Sequence, residues 1–347
     1  MSTSSATHRT LGKDGPSVPP LGLGLMGLSG GYGKAPPDEE RFKFLDRAVQ
    51  LGATFWDTSD LYGDNEAMLG KWFKQTGKRN EIFLASKFGI SMKSRDVASF
   101  VIDSSPENCK KCCNGSLERL GVDCLDLYYA HRVNPDIPIE STMRAMAELK
   151  AEGKIKNIGL CGVSSATLRR ACKVAPVAAI QMEYSPFSLD IEQEKGTYLL
   201  QTCRELGVAV VCYSPLGRGL LTGAFLTQES VSGAGDNRAK VFPRFSEENI
   251  AANAKLVNQF KALADKKGCT TSQLALAWLR AQNGIVIPTP GTKKIKYLEE
   301  NWASLDVQLT SEEEEEIRAF VNSVEVMGGR EPPSGEGYGF VDTREEA

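Results

Sequence analysis

Residues 53–63, Ala53-Thr-Phe-Trp-Asp57-Thr-Ser-Asp-Leu-Tyr62-Gly63, set an apolar, aromatic and β-branched run against a polar turn. The run predicts a buried strand over 53–57, and the segment beyond the turn predicts a helix over 65–76. Working outward, the same unit recurs. Upstream, 21–26 is a short apolar run, and Pro37-Asp-Glu-Glu40 opens an amphipathic helix through Leu51 that Gly52 stops. Gly12-Lys-Asp-Gly15 lies between two short extended pieces and reads as a hairpin ahead of the main fold. Downstream, strands are expected over 81–87, 125–131, 155–162, 177–183, 208–213 and 285–288. Helices are expected over 106–120, 139–152, 166–173, 195–206, 247–267 and 271–281.

Eight short apolar strands alternating with helices argue for parallel βαβ units. No stretch reads as a domain linker, so the expectation is α/β: a closed (β/α)8 TIM barrel with an N-terminal β-hairpin and long cofactor and substrate loops. The chain is read as a single domain, residues 1–347, with the barrel over about 10–322 and a flexible C-terminal tail over 323–347. Two stretches are irregular. Residues 217–245 are too long for a plain connection and read as a lid or binding loop. The tail, rich in Gly and Pro, either folds over a pocket or frays.

The 347 residues are 41% hydrophobic and 24% charged with a net charge of -3, which excludes a disordered chain. Lysines and arginines are scattered, so no basic stripe invites nucleic acid. No run approaches the roughly 20 apolar residues of a membrane span. The polar start, Met1-Ser-Thr-Ser-Ser, has no apolar core of a secretory signal, and a cytoplasmic location is expected. Of nine cysteines, Cys109, Cys112 and Cys113 cluster in CKKCC on a predicted helix, without a second Cys/His pair at zinc spacing. They read as reduced structural thiols.

In such a barrel the carboxyl ends of the strands form the active face. At or close to their carboxyl ends the predicted strands carry Asp57, Lys87, His131, Gln181 and Tyr213, with Tyr62 just beyond the first. A phenol near pKa 10 is a poor acid at neutral pH. An ammonium beside it lowers that value, and a carboxylate keeps the ammonium charged. A nearby histidine can hydrogen-bond and orient a carbonyl oxygen. His131 is one of only two histidines, the other being His8 in the polar leader.

At these residues the sequence resembles the aldo-keto reductase family, closest to its pyridoxal reductase-like and auxin-induced-like branch. Phe55-Trp-Asp57-Thr-Ser-Asp-Leu-Tyr62-Gly63 with Glu66 and Leu69-Gly70 matches one signature, Ala85-Ser-Lys87 another, and Asp126-Leu-Tyr-Tyr-Ala-His131-Arg132 a third. Pro138-Ile-Glu140, the segment 153–159, Tyr213-Ser-Pro-Leu-Gly-Arg218-Gly and Ile287-Pro-Thr-Pro-Gly291 complete it over about residues 10–322. The resemblance implies NADPH-dependent reduction of a small-molecule carbonyl, with Tyr62 as general acid, Lys87 lowering its pKa, Asp57 holding Lys87 and His131 orienting the carbonyl. It implies Ser164 and Gln181 on the carboxamide, Asp57, Leu25 and Met26 beside the nicotinamide, and Tyr213 stacked on it. Ser214, Pro215, Leu216, Gly217 and Arg218 would wrap the pyrophosphate, and Gly291, Thr292, Lys293 and Tyr297 with Glu300 and Asn301 the adenosine end. Ser165 stands where the family usually has asparagine. Tyr297 stands where an arginine is common, with Lys294 and Lys296 as further cations.

Met26, Tyr32, Phe88 and Trp302, with the segment from Phe225 to Phe245 and the tail, are candidates for the substrate pocket. The alternative within the fold is a cofactor-binding regulatory subunit of a potassium channel with little turnover. A metal-dependent hydrolase or isomerase using Asp57 or Glu183 fails on ligand count, because no carboxylate cluster surrounds His131.

Overall fold

The structure, a computed structural model, describes residues 8–92, 100–233, 236, 238–282, 284–331 and 337–346. Eight parallel strands run in order: β1 (Leu23–Gly24), β2 (Phe55–Asp57), β3 (Phe83–Phe88), β4 (Leu127–Ala130), β5 (Ile158–Cys161), β6 (Val177–Glu183), β7 (Ala209–Tyr213) and β8 (Val286–Pro288). The two edges of this sheet meet. The Gly22 N–H donates to Pro288 O at 2.9 Å, the Gly24 N–H to Pro290 O at 3.1 Å, and Gly24 bridges Gly291 in parallel. A Cβ on Gly291 would lie 3.1 Å from Gly24 O, so the seam closes where side chains are missing. The result is the expected (β/α)8 barrel.

Inward-facing Phe55, Ala85, Leu127, Tyr129, Cys161, Ala179, Ala209, Val211 and Ile287 fill the interior. Leu11 and Val18, from the hairpin pairing Arg9–Thr10 with Ser17–Val18, join that cluster. Lys13 N–H bonds Gly207 O, just before β7, so the hairpin plugs the amino end. That leaves the carboxyl end for chemistry. Helices Asp38–Leu51, Asn65–Thr76, Pro106–Leu120, Ile139–Ala151, Ser165–Val174, Leu199–Leu206, Thr271–Ala281 and Ile295–Trp302 follow the strands and pack round the outside.

Several boundaries differ from the sequence reading. The first apolar run contributes only two strand residues before turning into a 3-10 turn at Met26–Ser29. The helix expected from 195 starts at Leu199, because Thr197 and Tyr198 adopt φ of 54° and 52°, which break helical geometry. The sequence reading did not anticipate the antiparallel pair Ile90–Met92 with Phe100–Ile102, or the helix Ser311–Ser323, which starts with a Thr310/Glu313 capping box. The long segment after β7 is built of 3-10 turns and the short helix Arg238–Val241. The Arg238 guanidinium lies 3.6 Å from the Phe225 ring centroid and donates to Arg218 O at 2.8 Å, which organises that loop.

Gly70 lets the helix Asn65–Thr76 approach its neighbour: a Cβ there would stand 2.4 Å from the backbone oxygen of Arg119. Gly70→Ala should therefore lower stability by about 1–3 kcal/mol through overpacking, outweighing the roughly 1 kcal/mol gain in helix propensity. Urea unfolding checks this, and a raised midpoint would refute the packing account.

Candidate active site

Strand parity builds the site. Each inward core residue is followed two positions later by another inward side chain. Phe55 leads to Asp57, Ala85 to Lys87, Tyr129 to His131, Ala179 to Gln181 and Val211 to Tyr213. The apolar floor thus carries a polar layer at the carboxyl end. The Lys87 ammonium lies 2.5 Å from Asp57 Oδ1, 2.7 Å from Thr58 O and 3.3 Å from the Tyr62 hydroxyl. The Gln181 amide donates to the other Asp57 oxygen at 2.7 Å. Tyr62 and His131 stand edge to face with ring centroids 5.9 Å apart.

Exposure is graded. Lys87 is 0% and Asp57 4% exposed, whereas Tyr62 and His131 are half-buried. The groups that tune are sealed beneath the groups that can touch a ligand. Neighbours hold the turn carrying Tyr62. Thr58 Oγ1 donates to Asn65 Oδ1 at 2.6 Å, and the Asn65 amide reaches Leu25 O at 2.9 Å. Buried Glu66 accepts from Ser86 at 2.5 Å and from Arg119 at 2.8 Å, tying two helices to β3.

Burial opposes the Lys87 charge, but Asp57 and Tyr62 outweigh it and hold the ammonium above its ordinary pKa. Burial raises the Tyr62 phenol, and Lys87 pulls it down without reversing the net direction. Lys87 thus lowers the phenol as expected, but desolvation outweighs it, and Tyr62 keeps its proton at neutral pH. Burial, then Lys87 and Arg132, drive His131 well below the usual imidazole range, so its ring is neutral. Burial and then Glu66 push Asp60, in the turn between Asp57 and Tyr62, up to about 6.

The candidate cofactor residues fall into two groups. Buried Leu25 and half-buried Met26 border the site after β1, with Leu25 N–H on Asp57 O at 3.0 Å. After β7, Ser214 and Arg218 take φ of 49° and 55°, left-handed backbone that costs a non-glycine residue energy and gathers at binding loops. Pro215, Leu216 and Gly217 are buried between them. Thr292, Lys293 and Lys294 precede the helix Ile295–Trp302, which has no side-chain cap. Free helix N–H groups beside lysines suit a phosphate, so the residues present fit a dinucleotide. Gly291 sits in the seam, Lys293 donates to the carbonyls of Tyr32 and Lys34 at 3.1 and 3.0 Å, and Tyr297 is 41% exposed near Lys294. Glu300 accepts from Thr270 at 2.9 Å and Asn301 is buried on the same helix.

Other candidates are engaged elsewhere. The Ser164 hydroxyl caps the helix Ser165–Val174 through Thr167 N–H and donates to Asp342 of the tail. Arg218 is turned onto buried Glu183, 3.0 Å away, with Phe242 at 4.4 Å from its guanidinium. Phe88 is fully buried and stacked on Tyr128, and Trp302 lies over Gly52, away from the carboxyl face. Both leave the list of pocket candidates.

The sequence reading missed two features. Ser59 Oγ lies 3.2 Å from His131 Nδ1. In its described residues the tail folds onto the face: Val341 pairs with Val163, and Arg330 lies 2.8 Å from Asp190, 3.5 Å from Glu183 and 3.3 Å from the Tyr213 hydroxyl. Ser59 lies inside the motif that carries Tyr62, whereas no local pattern marks Arg330.

A closed parallel barrel whose strand ends converge on a lysine-anchored phenol belongs with enzymes that work at the carboxyl face. The chain belongs to the aldo/keto reductase family, whose model matches residues 20–322. It is 49% identical over 310 residues to the aldo-keto reductase str7 of Strobilurus tenacellus, covering 89% of each chain. It is 45% identical over 342 residues to the aldo-keto reductase yakc [NADP(+)] of Schizosaccharomyces pombe, covering 98% of each. Among solved structures, a glycerol dehydrogenase from Gluconobacter oxydans matches with a TM-score of 0.79 at 26% identity, over 92% of this chain and 96% of that one. A thermostable aldo-keto reductase solved with the inhibitor epalrestat matches with a TM-score of 0.69 at 28% identity, over 90% and 99%. No helix among the described residues is long and apolar enough to cross a membrane.

The raised Asp60 pKa has a stability consequence. The folded value, about 6, exceeds the unfolded carboxylate value, so the folded state binds more protons and loses stability as pH rises to about 6. Asp60→Asn should be more stable than the parent at neutral pH, with the gain vanishing on acidification below the unfolded carboxylate pKa. Thermal melts across that range check it; a gain that is equal at both ends would sink the assignment.

Proposed function

We propose that the protein reduces an aldehyde or ketone to the alcohol with NADPH, Tyr62 being the proton donor. The observation that carries this reading is the Tyr62 hydroxyl 3.3 Å above a fully buried, ion-paired Lys87. When bound, the reduced nicotinamide supplies the hydride that the carbonyl carbon receives. As the carbonyl oxygen gathers charge, Tyr62 gives it the phenolic proton. Lys87, kept charged by Asp57, then stabilises the phenolate left behind. A phenol whose pKa is raised holds that proton until the oxygen becomes basic, which suits the reductive direction. Neutral His131 donates an N–H to the carbonyl oxygen and orients it.

Gln181, braced by Asp57, would hold the carboxamide, and Tyr213 would stack on the ring. Ser214–Arg218 would hold the pyrophosphate, with Arg218 leaving Glu183 to do so. Thr292 and Lys293 would meet a 2′-phosphate, and the NADP(+) in the name of the Schizosaccharomyces pombe relative supports that choice.

NADPH oxidation across a panel of aldehydes and ketones, with NADH as control, tests the reading. Tyr62→Phe should lower turnover about 100-fold or more while NADPH still quenches intrinsic fluorescence at the parent concentration. Near-normal turnover in that variant would remove Tyr62 as the acid. Lys293→Ala should raise the KM for NADPH about tenfold and leave that for NADH unchanged; equal effects on both would dissociate Lys293 from the phosphate.

A further inference from the structure

The Ser59 hydroxyl has one proton and two acceptors within reach. It lies 3.2 Å from His131 Nδ1 and 3.3 Å from Asp60 Oδ1, and its oxygen already accepts the Leu61 N–H at 3.1 Å. Ser59 is 1% exposed, so water does not relieve the competition. No described residue bonds Nε2 of His131. We propose that Ser59 and Asp60 decide, through this single shared proton, which ring nitrogen of His131 carries hydrogen, and hence whether His131 can donate to a carbonyl. The proposal rests on the reading of His131 as the carbonyl-orienting group, and makes Ser59 and Asp60 positioning residues.

The chemistry follows from tautomer bookkeeping. A neutral imidazole has one N–H and one lone pair, and the partner of one nitrogen sets the role of the other. If Ser59 donates to Nδ1, the proton sits on Nε2, free to donate to a carbonyl oxygen. If Ser59 donates to Asp60, Nδ1–H donates to Ser59 Oγ, and Nε2 presents a lone pair that repels the same oxygen. A carboxylate competes for the Ser59 proton far better than a carboxylic acid does. The groups facing Asp60 are Ser59 of its own turn, Glu66 from one flanking helix, and Cys112 and Arg119 from the next. Burial and Glu66 outweigh the others and hold its pKa at about 6. Burial, then the Lys87 and Arg132 charges around it, keep the His131 ring neutral through that titration. The Nε2–H form therefore prevails when Asp60 is protonated and recedes as pH rises through about 6.

The chain has only two histidines, so the tautomer can be observed directly. Full-length protein labelled with 15N-histidine is titrated from about pH 5 to about pH 8, with His8→Gln assigning the signals. The expected result is an exchange from Nε2–H to Nδ1–H, distinct from an imidazolium, in which both nitrogens are protonated. Asp60→Asn should hold Nε2–H throughout, since an amide does not titrate, and Ser59→Ala should abolish the pH response. The kcat/KM for carbonyl reduction should fall about fivefold over the same range, the worth of one neutral hydrogen bond, and this fall should vanish in Asp60→Asn. A single tautomer across the range in the unsubstituted protein overturns the proposal, as does an exchange that persists in Asp60→Asn. Both outcomes are read without turnover, so failure of the reductase reading remains separate.

Discussion

A lysine ammonium with no solvent exposure is the constraint on which the rest of the site depends. Lys87 sits inside the barrel, where an uncompensated charge would cost several kcal/mol. Asp57, Thr58 O and the Tyr62 hydroxyl replace its water. Those partners come from a neighbouring strand and the turn beyond it, so the ion pair forms only if β2 and β3 align with Asp57 opposite Ala85. A register slip of one residue would turn Asp57 to the outer face and strand the charge. The Lys87–Asp57 ion pair and the barrel register are therefore one requirement.

From that buried charge the site gains its polarity. Burial, reinforced by Lys87 and Arg132, keeps His131 neutral, and Lys87 offsets part of the desolvation that raises the Tyr62 phenol. The outcome is a phenol that retains its proton beside a buried ammonium. Asp57 divides its oxygens, one to Lys87 and one to Gln181, so a single carboxylate sets both the charge and the orientation of the amide.

A second centre of charge lies at the rim. Glu183, buried at the end of β6, stands between Arg218 of the loop after β7 and Arg330 of the tail. Two segments far apart in sequence are thus held to one strand end by one carboxylate. The left-handed backbone at Ser214 and Arg218 lies in the same loop, where Arg238 packs between Phe225 and Tyr32 and donates to Arg218 O. The loop over the site is shaped by these contacts, not by its own propensities.

The order of elements, the hairpin and the inward layer were legible in the chain because strand and helix periods are local. Asp57, Lys87, His131, Gln181 and Tyr213 each fall at the end of an apolar run, and the turn carrying Tyr62 follows directly. Local pattern also has limits: the run at 21–26 yields a strand of only two residues, Leu23–Gly24, and Phe88, which read as pocket wall, is core because its parity is opposite to that of Lys87. Only the tertiary structure decided the direction of the Tyr62 pKa, since desolvation depends on what surrounds a group and not on what precedes it. The same holds for the inward turn of Arg218, the use of Ser164 as a helix cap bonded to the tail, and the arrival of Arg330 beside Tyr213. These are contacts between residues distant in sequence, and no local periodicity encodes where such residues meet.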